Sequence, residues 1–153
     1  MMMINRETDY AGRVLLFLSR RPQGTRTTAQ EVARECLVPG AIVRRVVTRL
    51  ASAGLLASVR GSGGGISLGR SPKDITLLDV VEAFEGPVAL NACIPDPKQC
   101  PLLQDCTVHI AWMQANETLV NYLRSVTFDR LAQQNTDVPE QTQRTKARTS
   151  RTK

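Results

Sequence analysis

The fold is decided by residues 28–68, whose sequence is TAQEVARECLVPGAIVRRVVTRLASAGLLASVRGSGGGISL. Thr27 or Thr28 can cap a helix over about 28–35, and Glu31 lies three residues after Thr28, as a capping box requires. A short turn follows, and Pro39 suits the first turn of the next helix. This part of the chain therefore predicts two helices joined by a tight turn.

The second of these helices has one apolar side and one polar side. Gly54 supplies its C-terminal stop. Residues 55–60 then suit a strand, the glycines at 61–65 a turn, and residues 66–68 a short returning strand, which together predict a β-hairpin. The apolar stripe consists of Ile42, Val46 and Leu50, with Val43 and Val47 beside it.

A glycine-tipped hairpin after two such helices is the element order of a winged helix-turn-helix, so we expect a mainly α fold with a small β-hairpin wing. The second helix would lie in the major groove of DNA, where arginines bind guanine edges or phosphates. An arginine at the base of the wing would enter a neighbouring minor groove. No Gly-Lys-Ser/Thr ending and no GxGxxG motif accompanies the glycines, which argues against a nucleotide site. The candidate DNA-binding residues are Thr28, Pro39, Gly40, Ala41, Arg44, Arg45, Arg49, Arg60, Gly61 and Gly63.

The charges are distributed unevenly along the chain. Residues 1–75 carry 12 Lys/Arg against 5 Asp/Glu, residues 76–134 carry 3 against 7, and residues 135–153 carry 5 against 2. A basic first half beside an acidic second half indicates that one part of the protein meets a polyanion. A merely solvated basic surface is the alternative interpretation.

Three further segments complete the expected fold. Helical periodicity predicts a helix over about 6–19 and another over about 77–84, the latter capped by Thr76 with Asp79 at the boxed position. Residues 88–105 are interrupted by prolines and predict a loop. Apolar positions from residue 107 to about 134 predict one long helix.

Three of the four cysteines fall close together, as Cys93-x6-Cys100-x5-Cys106, and the only histidine, His109, follows. Cys106 and His109 are one helical turn apart, so we expect them on one face of the long helix. Thiolates with an imidazole can hold zinc or an iron–sulfur cluster, but the paired knuckles typical of zinc are missing. Incidental or redox-reactive thiols are the alternative. Cys36 lies apart and is expected to be a small buried hydrophobe.

Several segments, in this order, resemble the Rrf2 family of transcription regulators, with its IscR-, NsrR- and RirA-like members. The resemblance spans about residues 4–134, although the first cysteine spacing is six where five is usual. The segments are Asp9-Tyr10-Ala11, ASAGLL at 51–56, VRGSGGG at 59–65, ITLLDVVEAFEGP at 75–87 and the cysteine triplet.

The resemblance implies a homodimer that binds a palindromic operator in double-stranded DNA and senses iron, redox state or nitric oxide through an iron–sulfur cluster. It implies Cys93, Cys100 and Cys106 as ligands. His109 matches the fourth ligand of IscR-like members and favours a 2Fe-2S cluster, whereas Asp9 matches the acidic ligand of NsrR-like members and would fit 4Fe-4S. The implied organisation is a DNA-binding domain over 1–87, a cluster loop over 88–106 and a dimerisation helix over 107–134. Residues 135–153 have almost no apolar residue and are rich in Thr, Gln, Arg and Lys, so their composition predicts a disordered basic tail.

Two other functions are compatible with parts of the sequence. A cluster-free regulator of the same fold could sense thiol chemistry or a ligand directly. A cysteine-dependent enzyme would need an oxyanion motif, and none accompanies the Cys–His pair, so we expect no enzyme activity. No apolar run reaches the roughly 20 residues of a membrane span, and the first residues lack the order of a signal peptide. We therefore expect a cytoplasmic protein without a membrane partner.

Overall fold

The computed structural model describes residues 4–59, 61, 64–96, 98, 100, 102 and 105–134. The expected mainly α fold with a small hairpin is confirmed. Its helices and strands are α1 (Arg6–Ser19), α2 (Ala29–Glu35), α3 (Gly40–Ser52), β1 (Leu56–Val59), β2 (Gly65–Leu68), a short 3-10 helix (Pro72–Asp74), α4 (Leu77–Glu85), α5 (Thr107–Ser125) and α6 (Phe128–Gln133).

Side-chain caps fix where α1 and α4 begin. The Asn5 side chain accepts a hydrogen bond from the backbone N–H of Thr8 at the start of α1. At the start of α4, Thr76 and Asp79 form both halves of the predicted capping box. These caps satisfy N–H groups that a helix cannot pair internally, and they explain why both helices begin near the expected positions.

The starts of α2 and α3 differ in detail from the prediction. Thr28 caps α2 by accepting from the N–H of Glu31, but the Glu31 carboxylate turns away. It accepts from the hydroxyl of Thr27 at 2.6 Å and pairs with Arg21 at 2.5 Å. Only half of the capping box therefore forms. Pro39 occupies the N-cap position of α3 and not its first turn.

One aliphatic core joins the helices to the hairpin. In α3 the buried residues are Val43, Val46, Val47 and Leu50, while Ile42 is only partly buried. The two strands are antiparallel, with Leu56 opposite Leu68 and Val59 opposite Gly65. α1 packs against α3, α4 and α6, so it lies at the centre of the fold. This packing leaves the other side of α3 facing outward.

The predicted single helix over 107–134 was wrong at its C-terminal end. α5 ends at Ser125, and α6 begins at Phe128 after two residues of extended backbone. The extended residues pair with the segment before α4: the Leu77 N–H donates to the Val126 carbonyl at 2.8 Å, and the Phe128 N–H donates to Ile75 at 3.0 Å. These tertiary hydrogen bonds and the burial of Phe128 stabilise the extended residues, and therefore the helix does not continue past Ser125.

α5 has no buried residue. Five large apolar side chains stand exposed on it, and others are only half-buried. Within the described residues, no helix combines the length and the apolar character needed to cross a membrane. The exposed side chains are Val108, Ile110, Trp112, Met113 and Tyr122.

Candidate DNA interface and cysteine site

A cleft of about 680 Å³ lies between α3, the start of α2 and the hairpin. Burial of the valines of α3 in the core turns Arg44 and Thr48, one helical turn apart, toward this cleft. Thr28 lines it from the N-cap of α2, and Gly61 lines it from the hairpin tip. Hydroxyl, guanidinium and backbone groups therefore converge on one concave surface, as contacts to DNA phosphates and base edges require.

The three arginines of α3 that were predicted to bind DNA have different surroundings. Arg44 is exposed beside the cleft. The guanidinium of Arg45 is ion-paired with Glu7 of α1. Arg49 donates to the carbonyl oxygens of Ala83 at 2.9 Å and Phe84 at 3.1 Å, at the end of α4. Of the three, Arg44 is therefore the one placed for a direct DNA contact without breaking an interaction.

The other predicted DNA contacts divide into those placed on the surface and those outside the described residues. Pro39, Gly40 and Ala41 are exposed at the start of α3. Gly61 is exposed with φ of +98°, a conformation that favours glycine. Arg60 and Gly63 lie outside the described residues.

The sequence did not single out Thr48 and Ser58, which also line the cleft. Thr48 follows Arg44 by four residues, and this spacing could have identified it as a neighbour on the same helical face. Ser58 alternates along β1 with apolar Val59, which carries no comparable signal. Both hydroxyls extend the polar lining of the cleft.

The hairpin is attached to the start of α2 by a pair of backbone hydrogen bonds. Thr27 donates to the Ile66 carbonyl at 2.9 Å, and Ile66 donates to the Thr27 carbonyl at 2.8 Å. Close to the tip, a Cβ on Gly64 would lie 2.2 Å from the Val59 carbonyl oxygen. The position of the wing relative to α3 is therefore set by its base, and its tip admits no larger residue at Gly64.

The structure brings one cysteine of the triplet to the histidine. The Sγ atom of Cys93 lies 3.2 Å from Nδ1 of His109. Cys93 is buried, whereas Cys100 and Cys106 are half-buried. Cys106 is the N-cap of α5, and its carbonyl accepts the backbone N–H of His109 at 3.1 Å. The side chain of His109 therefore has Cys93, from the loop, as its hydrogen-bond partner.

The described residues do not form a complete set of ligands for a metal ion or cluster. Among them, no three His, Cys, Asp or Glu side chains are grouped closely enough to hold a metal ion. Asp9 lies on α1, where its carboxylate pairs with Arg13 at 2.5 Å. It lines a groove of about 990 Å³ whose apolar wall includes Val80, Leu123 and Phe128.

Cys36 is buried in the turn between α2 and α3, as expected. Burial raises the pKa of its thiol to about 11. The thiol lies 3.8 Å from the Arg13 carbonyl oxygen, a weak hydrogen bond. Cys36 is therefore a neutral thiol in the core and lacks the thiolate character of a reactive cysteine.

Residues 4–134 match the model of the Rrf2 family, which is described as an iron-dependent transcriptional regulator. The chain is 32% identical over 124 residues to the HTH-type transcriptional regulator NsrR of Bacillus subtilis (strain 168), a match covering 80% of this chain and 82% of NsrR. Its structure is similar to that of CymR (YrzC), the global cysteine regulator of B. subtilis, with a TM-score of 0.69 and 25% identity over 86% of this chain and 97% of CymR. The fold of T. potens IscR is also similar, with a TM-score of 0.66 and 21% identity over 88% of this chain and 93% of IscR.

Proposed function

This chain belongs to the Rrf2 family of DNA-binding transcription regulators, and we propose that it regulates transcription through an iron–sulfur cluster held by Cys93, Cys100, Cys106 and His109. Members of the family are regulators and not enzymes. The cleft around Arg44 is the surface proposed to bind DNA.

The observation that carries the cluster proposal is the 3.2 Å approach of the Cys93 sulfur to the His109 ring. A buried sulfur beside an imidazole at the start of a helix supplies two donors of the type that iron–sulfur clusters use. Cys100 and Cys106 lie on the same loop, half-buried, so the donor chemistry fits. Completing the set requires the loop to bring these two thiols toward Cys93. When bound, a cluster would supply a centre that iron supply, oxidants or nitric oxide can alter.

The exposed apolar side chains of α5 support a homodimer. Exposure of five large apolar residues to water on one 19-residue helix is energetically unfavourable, and such surfaces are usually covered by a partner. A second copy that packs along α5 would cover part of them. Two α3 helices related by a two-fold axis would then contact half-sites about one helical turn of DNA apart, or a multiple of it. A palindromic operator follows from that symmetry.

A second candidate function is a cluster-free sensor on the same fold. Two observations favour it: no three potential ligands are grouped among the described residues, and the structure is similar to that of a protein described as a cysteine regulator. In this alternative, the Cys93–His109 pair would itself respond to oxidants or to a small thiol compound. A stable iron signal in the purified protein would exclude it.

The decisive experiment compares wild type with His109→Ala, Asp9→Ala and Cys36→Ala, purified without oxygen and reconstituted with ferrous iron and sulfide. Visible absorption and native mass spectrometry give the cluster type and its stoichiometry. Loss or alteration of a 2Fe-2S cluster in His109→Ala alone would support the proposed ligand set. A 4Fe-4S cluster that is lost or altered in Asp9→Ala would instead identify Asp9, and not His109, as the fourth ligand. Cys36→Ala is the matched control and should bind as wild type does, and absence of iron from every variant would overturn the proposal.

A further inference from the structure

We infer that Arg49 is a positioning residue that connects the loop carrying the cysteines, residues 88–106 (the cysteine loop), to α3, and that it is not a direct contact to DNA. The inference deepens the proposed function and rests on it, because it names the side chain through which the state of the loop alters DNA binding. The observations that carry it are the contacts at the C-terminal end of α4, where α3, α1 and the cysteine loop meet.

Arg49 caps α4 from a neighbouring helix. The last carbonyls of a helix have no internal partners, and they are stabilised by a cation. α4 has no basic residue in its own last turn. Arg49 fills this role with two hydrogen bonds, from Nε to Ala83 and from Nη2 to Phe84. Its guanidinium also lies 5.0 Å from the centre of the buried Phe84 ring.

The next residue, Glu85, attaches the same helix end to α1. Its carboxylate accepts from the hydroxyl of Thr8 at 2.6 Å and from the backbone N–H of Asn5 at 2.9 Å. From the start of α1, Glu7 then pairs with Arg45 of α3. α3 is therefore held to the end of α4 directly through Arg49 and indirectly through α1, so a displacement of that end is transmitted to α3.

The cysteine loop begins at this same point. Gly86 follows with φ of +84°, and Cys93 comes seven residues after it. Between them, the backbone N–H of Leu90 donates to the Asn116 side chain of α5 at 3.0 Å. Only the short segment between Gly86 and Cys93 can absorb a displacement of Cys93. A larger displacement therefore reaches the carbonyl groups of α4 that Arg49 binds.

The test is a double-mutant cycle in which DNA binding is measured with the whole chain of residues 1–153. The probe is a DNA duplex selected from a random pool by the wild type, and its Kd is measured without oxygen for protein reconstituted with iron and sulfide and for chelator-treated protein. The variants are Arg49→Met, which keeps the aliphatic stem, Arg49→Lys, which keeps the charge, and Arg44→Met as the matched control on the same helix. Each variant is also combined with Cys93→Ser, which perturbs the loop without any need for iron.

We expect the two states of the wild type to differ in Kd by about 5- to 150-fold, the range of a typical coupling between sites. In Arg49→Met the ratio of the two Kd values should be close to one. In Arg49→Lys the ratio should lie between those of Arg49→Met and wild type. Arg44→Met should weaken binding in both states and keep the ratio. An Arg49→Met protein that binds more weakly but keeps the wild-type ratio would behave as the loss of a DNA contact, and would overturn the inference.

The Cys93→Ser arm separates this inference from the cluster proposal. If no variant binds iron, the cluster proposal fails, yet Cys93→Ser still tests Arg49. An effect of Cys93→Ser on Kd that disappears with Arg49→Met supports the inference, whereas an equal effect in both backgrounds overturns it. If neither iron nor Cys93→Ser changes Kd, the inference is overturned as well. Thermal unfolding of each variant verifies folding, and hydrogen exchange at the Gly86 N–H, which donates to Glu82, reports whether the end of α4 has loosened.

Discussion

Phe128 donates its backbone N–H to the carbonyl oxygen of Ile75 at 3.0 Å, so the chain after α5 returns to the segment that precedes α4. Phe128 is 1% exposed and is among the largest fully buried side chains of the described residues. Ile75 is fully buried beside it in the same core cluster. The C-terminal part of the described chain is therefore integral to the core that α1, α3 and the hairpin share.

Phe128→Ala should lower the free energy of unfolding by about 3–5 kcal/mol, because it removes a buried ring and leaves a cavity. Urea denaturation followed by circular dichroism measures this change. Gln133→Ala, an exposed site on the same helix, is the control and should stay within about 0.5 kcal/mol of wild type. A loss below about 1 kcal/mol for Phe128→Ala would contradict the packing described for α6.

Leu37→Gly should stabilise the protein. Leu37 has φ of +53° in the turn between α2 and α3, and it is 76% exposed, so little packing is lost on its removal. A non-glycine residue in this region costs about 1–3 kcal/mol, part of which the greater flexibility of glycine in the unfolded chain offsets. We expect a net gain of about 0.5–1 kcal/mol by urea denaturation. Leu37→Ala keeps the strained φ and should show no such gain; equal stabilisation by both variants would argue against strain.

Gly64→Ala should weaken DNA binding with little change in global stability. The added Cβ would lie 2.2 Å from the Val59 carbonyl oxygen, so the hairpin tip has to open. Under the proposed function, this displaces the wing from the DNA, and we expect Kd for the selected duplex to rise by about tenfold, or roughly 1.4 kcal/mol. Gly12→Ala is the matched control, since nothing lies within 4 Å of its Cβ position. Unchanged affinity for Gly64→Ala would remove the wing tip from the DNA interface.

Glu85 should make the protein sensitive to acid. The hydrogen bond from the Thr8 hydroxyl, then that from the Asn5 N–H, holds the pKa of the Glu85 carboxyl below its usual value. A carboxylate with a lowered pKa adds stability above the pKa of the unfolded chain, about 4.3, and loses it as pH falls through the folded pKa. The free energy of unfolding should thus fall below about pH 4.3, and less steeply in Thr8→Val. Thr8→Ser keeps the hydroxyl and should retain the wild-type slope; identical slopes in all three proteins would refute the assignment.

Cys36 should resist alkylation in the folded protein. With its pKa raised to about 11, the fraction of thiolate at pH 8 is about 100-fold lower than for an ordinary cysteine. In reduced, chelator-treated protein, iodoacetamide should label the half-buried Cys100 and Cys106 well before Cys36, as peptide mass spectrometry would reveal. Unfolding in urea should abolish the difference. Labelling of folded Cys36 at the rate of Cys106 would contradict its burial.

The sequence predicted the helices and strands whose signals are local. The start of α4 followed from Thr76 and Asp79, and the hairpin from its glycines. The break at Val126 and Thr127 was missed because it depends on hydrogen bonds to residues 75–77, about fifty positions away in the chain. Thr127, which is the N-cap of α6, was a local signal because threonine is favoured at that position, and its hydroxyl donates to the Asp129 carboxylate.

The sequence predicted which types of residue form the candidate sites, but not which residues those side chains contact. The polar face of α3 was recognised from periodicity, but Arg45 and Arg49 have acceptors on α1 and α4 that no spacing reveals. Likewise, the three-residue separation of Cys106 and His109 predicted a pair on one face. The contact that the histidine makes is instead with Cys93, 16 positions away in the chain, and no local spacing reveals it.

The backbone pair between Thr27 and Ile66 has a consequence for folding kinetics. A lone two-stranded hairpin is marginally stable in water, and this one closes a contact between residues far apart in sequence. Such contacts form late, since loop-closure entropy has to be overcome first. We expect the wing to acquire its order after α1–α3 have assembled and to be among the first parts to open. Residues at its tip should then be replaceable with little penalty in foldability, whereas proline in place of Thr27 or Ile66 would remove one of the two backbone N–H donors that attach its base.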